Sequence, residues 1–335
     1  MKRVRLSFAA GVELEFCDRE RAVRQVEDFA RKGTRFPIVV FGPEGCGKTA
    51  WLKQATETLR ELGFEAIYVD PLRREFVART DVKELVDKLV EAASEAVGIA
   101  QLKLATLAMD AVKWLISRWR KGKVAVLVDD AFQAVGLDKA EAYVKALLGL
   151  VEYPPDGYER IVTIAATSEG VSRAEIGRHR WALLRLMWNM NRRGFEGLYE
   201  GLPSPKLDFE EVWRLTGGNP GMLAKLYQAE WDFNVVVRDL VDSKKLDIFA
   251  SSLTSNERRY LLEAVEDPDT LLARERIPLL NRLAEMNLIV DAVPEREPEH
   301  WIDEPPPQKD LELGIGRRIA WQTPLHREAV KRALK

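Results

Sequence analysis

Two hydrophobic spacings alternate along the first half of this chain. Short, nearly continuous apolar runs rich in β-branched residues occur at PIVVFG (37–42), AIYVD (66–70), VAVLVDD (124–130) and IVTIAATS (161–168). Runs of this kind predict parallel strands covered on both faces. Between and after them the spacing becomes helical, in TAWLKQATETLREL, VKELVDKLVEAASEAV, LATLAMDAVKWLISRW and KAEAYVKALLGLVEY. Strands alternating with helices predict βαβ units with right-handed crossovers.

After Ser168 the texture changes. DFEEVWRLTGG predicts a helix capped by Asp208, with Glu211 three residues on, and stopped by Gly217 and Gly218. FEGLYEGLP (195–203) is expected as a fifth, edge strand. GRHRWALLRLMWNMNRRG (177–194) is expected as an amphipathic helix, because Trp181, Leu184 and Trp188 follow helical spacing. Its arginines, Arg178, Arg180, Arg185, Arg192 and Arg193, leave two functional readings open: contact with a γ-phosphate, or with a nucleic-acid backbone. Arg173 is a further phosphate-sensing candidate.

From Leu246 a third pattern begins. Helices are expected in TSNERRYLLEAVED, capped by Thr254 or Ser255, and in IPLLNRLAEMNLIVDAV, the latter running into a strand. RRIAWQTP predicts a second strand and LHREAVKRAL a closing helix. The loop between the strands, PEREPEHWIDEPPPQKDLELG, is rich in proline and acid. This order predicts a winged helix. Its acidic tip, with Glu295, Glu297, Glu299, Asp303 and Glu304, would repel a phosphate backbone, although Arg317, Arg318, Arg327, Lys331 and Arg332 lie nearby. Both a DNA and a protein partner therefore stay open for this region, as does a nucleotide-dependent homo-oligomer.

Composition narrows the function classes. The 335 residues hold 51 Lys and Arg against 53 Asp and Glu, so no global charge steers the chain to nucleic acid. No apolar run is long enough to span a membrane, and the basic start MKRVRLSFAAGVELEF is interrupted by Glu13 and Glu15, which argues against a signal peptide. Cys17 and Cys46 are too few for a disulfide framework, which suits a cytoplasmic setting. His179, His300 and His326 are too scattered for a metal site and are expected at the surface.

The chemistry concentrates in FGPEGCGKT. Gly42, Gly47, Lys48 and Thr49 satisfy G-x-x-x-x-G-K-[ST], directly after a predicted strand and opening a predicted helix. Backbone amides over Gly42, Pro43, Glu44, Gly45, Cys46, Gly47, Lys48, Thr49 and Ala50 would converge on phosphate oxygens at a helix N-terminus. Lys48 supplies a point charge for the β- and γ-phosphates, and the Thr49 hydroxyl a ligand for Mg²⁺. The third strand ends in Asp129, expected to hold Mg²⁺ through water, and Asp130, expected to polarise the attacking water. Thr167 or Ser168, ending the fourth strand, would lie beside the γ-phosphate.

These boxes resemble a known family. FCDRERAVRQVEDF (16–29) is similar to the box that precedes the P-loop in archaeal ATPases of the AAA+-related STAND class, with Ala22 at a usually acidic position. LTGGNPGML (215–223) resembles their GGNP box. VDDAFQ resembles V-D-E-F/A-Q, with Asp130 where Glu is usual. The resemblance implies an α/β P-loop core over residues 1–175, a helical lid over 176–245 and a winged helix over 246–335. It also implies a Mg-ATP site in which Pro220 approaches the adenine and the backbone around Arg19 closes its other side. Asp is one methylene shorter than Glu, so a water placed for Glu would be too far from Asp130, and hydrolysis is expected to be slow. Slow hydrolysis suits a switch.

Overall fold

The computed structural model describes residues 2–70, 75–79, 122–130, 137–153, 158–167, 181–203 and 207–335. The predicted helices at 82–97 and 104–119, together with Ser168, Arg173, Arg178, His179 and Arg180, lie outside the described residues. The chain divides into two compact units, each of which draws on separated stretches of sequence.

The first unit comprises residues 1–4, 20–41 and 48–185. Its helices are α1 (Glu20–Lys32), α2 (Lys48–Glu61) and α3 (Leu137–Glu152). Its sheet contains β3 (Ile38–Phe41), β4 (Glu65–Asp70), β5 (Glu75–Arg79), β6 (Lys123–Asp129) and β7 (Arg160–Ala166), joined at the edge beyond β3 by the start of β8 (Leu183–Met187). The order is β8-β3-β7-β6-β4-β5, parallel where β3, β7, β6 and β4 meet and antiparallel between β4 and β5. All four predicted strands are present, and β6 and β7 are buried along almost their whole length. Helices flank the sheet: α2 packs on β4 and β6, while α1 and α3 pack on β7. Gln54 of α2 ties down the first residues, accepting from the Val4 amide at 2.9 Å and donating to the Lys2 carbonyl at 2.9 Å.

The second unit comprises residues 5–19, 42–47 and 186–335. It opens with an antiparallel hairpin, β1 (Arg5–Ala9) and β2 (Val12–Glu15), made by the stretch weighed above only as a leader. Next come α4 (Arg192–Glu200), α5 (Phe209–Thr216), α6 (Pro220–Gln228), α7 (Phe233–Ser243) and α8 (Leu246–Ser251). The C-terminal elements are α9 (Ser255–Glu266), α10 (Ile277–Glu285), β9 (Ile289–Val290), an unexpected β10 (Trp301–Ile302), β11 (Ala320–Trp321) and α11 (Pro324–Ala333). Thr254 caps α9 in a full capping box with Glu257, and Asp208 caps α5 through the Glu210 amide. α11 packs against α5, α7, α8 and α9, so the last helix closes one core built around Phe195, Leu223, Leu261, Trp321 and Leu325. The Trp321 indole donates to the Ala264 carbonyl at 3.1 Å.

Some expectations are corrected. FEGLYEGLP is not an edge strand. Its first six residues belong to α4, where Phe195 and Leu198 bury one face at helical spacing and Asn191 caps the start through the Gly194 amide. The basic segment is not a helix over 183–187; those residues form β8, whose end at Leu186 and Met187 pairs in parallel with β10. Three helically spaced aromatics and leucines were outweighed by a run apolar enough to be buried as a strand. The proline- and acid-rich loop is not a free tip. It contributes β10, and the Arg296 guanidinium gathers it by donating to the carbonyls of Pro294, Pro306, Pro307, Gln308 and Arg317. Asp269 pins the turn before β11 by accepting the backbone amides of Arg317, Arg318 and Ile319 at 2.6–3.0 Å.

His326 is buried, not at the surface; only His300 of the described histidines is exposed. Its ring pairs through Nδ1 with the Thr323 hydroxyl at 2.8 Å. Burial first, then Lys244 and Lys225, pushes the imidazole down to about 3, with Glu44 opposing. An imidazole held neutral in the fold adds stability that is complete above the unfolded value near 6.5 and is lost as pH falls towards 3. Unfolding free energy is therefore expected to fall by about 2–3 kcal/mol between pH 7 and pH 4.5 from this group alone. Denaturant titrations of wild type and His326→Gln across that range should show a flatter dependence in the variant.

Candidate functional site

In the second unit the segment Gly42–Gly47 is held from outside by its carbonyls. The Glu44 carbonyl accepts from Asn219 Nδ2 at 2.9 Å, the Gly45 carbonyl from the Gly221 amide at 3.0 Å, and the Cys46 carbonyl from Arg19 Nη2 at 2.7 Å. In a planar trans peptide the N–H points opposite to the C=O. Fixing these three carbonyls therefore turns the amides of Gly45 and Gly47 away from the donors that hold them, the orientation an anion-binding concavity needs, while the Cys46 amide is used within the loop. The loop is closed further by Cys46 N–H on the Pro43 carbonyl (3.2 Å) and by Glu44 N–H on Gln322 Oε1 (2.8 Å).

The glycines at this loop answer to close approach. Gly42 has φ +152°, and a Cβ there would collide with the Met187 carbonyl oxygen. Gly45 has φ +77°, and its Cβ would stand 2.9 Å from Asn219 Oδ1 and 3.0 Å from Gly221 Cα. Asn219 is the hub of the arrangement. Its Oδ1 caps α6 by accepting from the Met222 amide at 2.9 Å, and its Nδ2 also reaches Asn189 Oδ1 at 2.8 Å. Asn189 in turn donates to the Gln322 carbonyl at 3.0 Å. Pro220 opens α6 directly after this hub. The Arg19 side chain, not only its backbone, takes part: besides Cys46 it binds the Trp188 carbonyl at 2.9 Å and Asp303 at 2.9 Å.

In the first unit, Lys48 opens α2 and is buried, with Thr49 and Ala50 beside it in the first turn. The register brings the strand ends level. Val69 faces Val128, so Asp70 and Asp129 are neighbours on β4 and β6, and Asp129 faces Ala166, just before Thr167. Thr167 is fully buried, with its amide on the Val40 carbonyl of the P-loop strand at 2.9 Å. Asp129 is 1% exposed and is hydrogen-bonded by Tyr68 Oη at 3.1 Å. Asp130, next to it, takes a left-handed backbone with φ +44°. Burial above all, with the charge of Asp130 and then that of Asp70, pushes the Asp129 carboxyl up to about 6, against the hydrogen bonds from Thr49 and Tyr68.

Two groups of the expected residues are thus gathered, one per unit: Thr49, Asp129 and Asp130 in the first, and Gly42–Gly47 with Arg19 and the GGNP box in the second. Ser168 lies outside the described residues. Sequence reasoning missed Asn219, Gly221, Gln322 and Asp303 around the loop, and Tyr68 and Asp70 beside Asp129. Only Asn219 left a signal, as the residue between two glycines and a helix-opening proline.

The sheet order, the strand–loop–helix carrying GPEGCGKT and the carboxylates closing β6 define a P-loop NTPase. A family model describing an ATPase domain predominantly from Archaea matches residues 16–226, more than half of the chain, and the protein belongs to that family. A comparison with curated proteins finds no match. Among solved structures, a single-residue variant of RuvB from Thermotoga maritima is 14% identical with a TM-score of 0.40, covering 83% of each chain. AMPPCP-bound DnaA from Aquifex aeolicus is 16% identical with a TM-score of 0.36, covering 70% of this chain and 71% of its own. The Aeropyrum pernix ORC1 protein in complex with DNA is 13% identical with a TM-score of 0.37, covering 95% and 92%. With TM-scores below 0.5, none of these likenesses bears on residue roles.

The raised carboxyl makes a direct prediction. The cost of carrying Asp129 in the fold is complete above about pH 6 and falls away as pH drops towards the unfolded value of 3.8, below which the carboxyl is protonated in both states. Without divalent cations, Asp129→Asn should raise unfolding free energy at pH 8 by roughly 1–3 kcal/mol, with the gain shrinking as pH falls through 6. Thermal melts at several pH values, with chelator present, measure it; an equal gain at pH 4 and pH 8 would contradict the assignment.

Proposed function

We propose that this chain binds Mg-ATP through Gly42–Thr49 and hydrolyses it slowly, with nucleotide state setting the positions of a helical lid and a C-terminal winged helix. The observation that carries the reading is the nearly unexposed Asp129 closing β6 level with Asp70 and beside Asp130, in the unit whose α2 opens with the Lys48-Thr49 of the phosphate-loop motif. Family membership supplies the ATPase class.

The residues fit Mg²⁺. The donor set is hard oxygen, a hydroxyl and a carboxylate whose value is raised first by burial and then by the neighbouring charges of Asp130 and Asp70. Among the described residues no group of three or more His, Cys, Asp or Glu side chains is placed to hold a metal. Mg²⁺ is commonly held by one or two protein groups and completed by phosphates and water. Thr49 would hold the ion directly and Asp129 through its water shell. When bound, Mg²⁺ neutralises charge on the β- and γ-phosphate oxygens. Lys48 pairs with the same phosphates, and the loop amides bind the β-phosphate. Asp130 orients the attacking water and accepts hydrogen bonding from it. Thr167 stands at the end of β7, between the phosphate-loop strand and the Asp129 strand, and contacts the γ-phosphate.

The shorter carboxylate at Asp130 sets the rate in this reading. Phosphate release should be slow in wild type, and Asp130→Glu should raise it severalfold, whereas Asp130→Ala should lower it about 100-fold or more. Lys48→Ala should remove detectable Mg-ATP binding in calorimetry. Retained affinity in folded Lys48→Ala would sink the site, and a wild-type rate unchanged by either substitution at Asp130 would sink its role.

A further inference from the structure

Arg19 and Asp303 are 284 positions apart in sequence, yet their side chains form an ion pair at 2.9 Å with only 4% and 5% of each exposed. Taking two charges out of water is costly unless their remaining hydrogen-bonding capacity is also met. Here it is met in a telling way. The other terminal nitrogen of Arg19 spans two carbonyls, Cys46 in the phosphate loop and Trp188 directly after β8. Asp303 therefore fixes the guanidinium that fixes the Cys46 peptide, and with it the direction of the Gly47 amide.

Both partners also hold strained backbone. Arg19 has φ +64° and Asp303 φ +67°, and Asp18 before Arg19 has φ +56°. Left-handed conformations are unfavourable for residues with a Cβ, and they persist where the surroundings over-determine them, often at functional positions. What over-determines Asp303 is visible. Trp301 and Ile302 just before it are fully buried in β10, which adds to the Leu186–Met187 end of β8, and the Trp301 indole is tied to the Glu295 carbonyl at 2.8 Å. The loop expected to be a solvated acidic tip is instead a strap, and it delivers one carboxylate to one arginine. That carboxylate lies beyond residues 16–226, the span of the ATPase-domain match.

We propose that Asp303 is a positioning residue for nucleotide binding: through Arg19 it holds the phosphate loop in its amide-presenting conformation, so that the C-terminal strap completes the site of the ATPase domain. The proposal rests on the Mg-ATP reading for its affinity consequence, but not for its effect on the loop itself.

The test uses the full chain, with Asp303→Ala, Asp303→Asn, Arg19→Ala and the Arg19→Ala/Asp303→Ala double variant, each checked for a cooperative melt. Two quantities are measured: amide exchange by mass spectrometry without nucleotide, and affinity for a fluorescent ATP analogue with Mg²⁺. Without nucleotide, Asp303→Ala should speed exchange in peptides covering 42–49 and leave those covering 255–285 unchanged. Its dissociation constant should rise about tenfold, Asp303→Asn should show a smaller rise in the same direction, and the double variant should be no weaker than Arg19→Ala, since residues acting through one contact are not additive. A folded Asp303→Ala protein with wild-type exchange over 42–49 would overturn the proposal, as would affinity within twofold of wild type or losses that add in the double variant. If Asp303→Ala does not fold, Asp303→Asn decides on the same two readouts. Wild-type protein that binds no Mg-ATP would remove the Mg-ATP reading, while the exchange result would still judge the strap.

Discussion

Three consecutive peptide carbonyls, those of Glu44, Gly45 and Cys46, are each held by a donor that is distant in sequence. The function proposed for this chain depends on that constraint. A glycine-rich loop is free to take many conformations, and only those with its amides converging bind phosphate well. Ordering a loop residue costs on the order of 1–2 kcal/mol, a cost that would otherwise fall on ligand binding. Asn219, Gly221 and Arg19 meet it during folding. The glycines then permit the approach, as the close contacts a Cβ would make at Gly42 and Gly45 show.

A second constraint acts in the first unit, around Asp129. A carboxylate level with Asp70, next to Asp130 and almost without exposure is held at an electrostatic disadvantage. Two hydroxyls, from Thr49 and Tyr68, relieve part of it. A divalent cation would relieve the rest, so the local cost is intelligible as affinity held in reserve. Structural ion networks also perturb carboxyls; what singles this one out is its place at the end of a buried strand, level with Asp70 and followed by Asp130.

Much of this was legible in the sequence. The buried strands β3, β4, β6 and β7 announced themselves because parallel strands covered on both faces must be apolar throughout. The phosphate loop was legible because its chemistry needs contiguous residues at fixed spacing. What escaped was whatever depended on partners far away in sequence. No local pattern marks Asp303 as the partner of Arg19, or Gln322 as the acceptor for the Glu44 amide. The loop around Asp303 has the composition of a solvated tip, and its burial follows from two residues, Trp301 and Ile302, in a proline-rich setting. The segments misassigned, 183–187 and 195–200, were short apolar runs in which strand and helix periods compete, and tertiary pairing decided between them.

Polyphosphate binding by the oriented amides of this loop is the central claim to test. Calorimetric titration of the wild-type chain with ADP and with AMP, both with Mg²⁺, isolates the β-phosphate that the amides are arranged to hold. The account predicts that ADP binds at least about 100-fold more tightly than AMP, since charge-assisted hydrogen bonds to one phosphate are worth several kcal/mol together. Equal affinities for the two would contradict it.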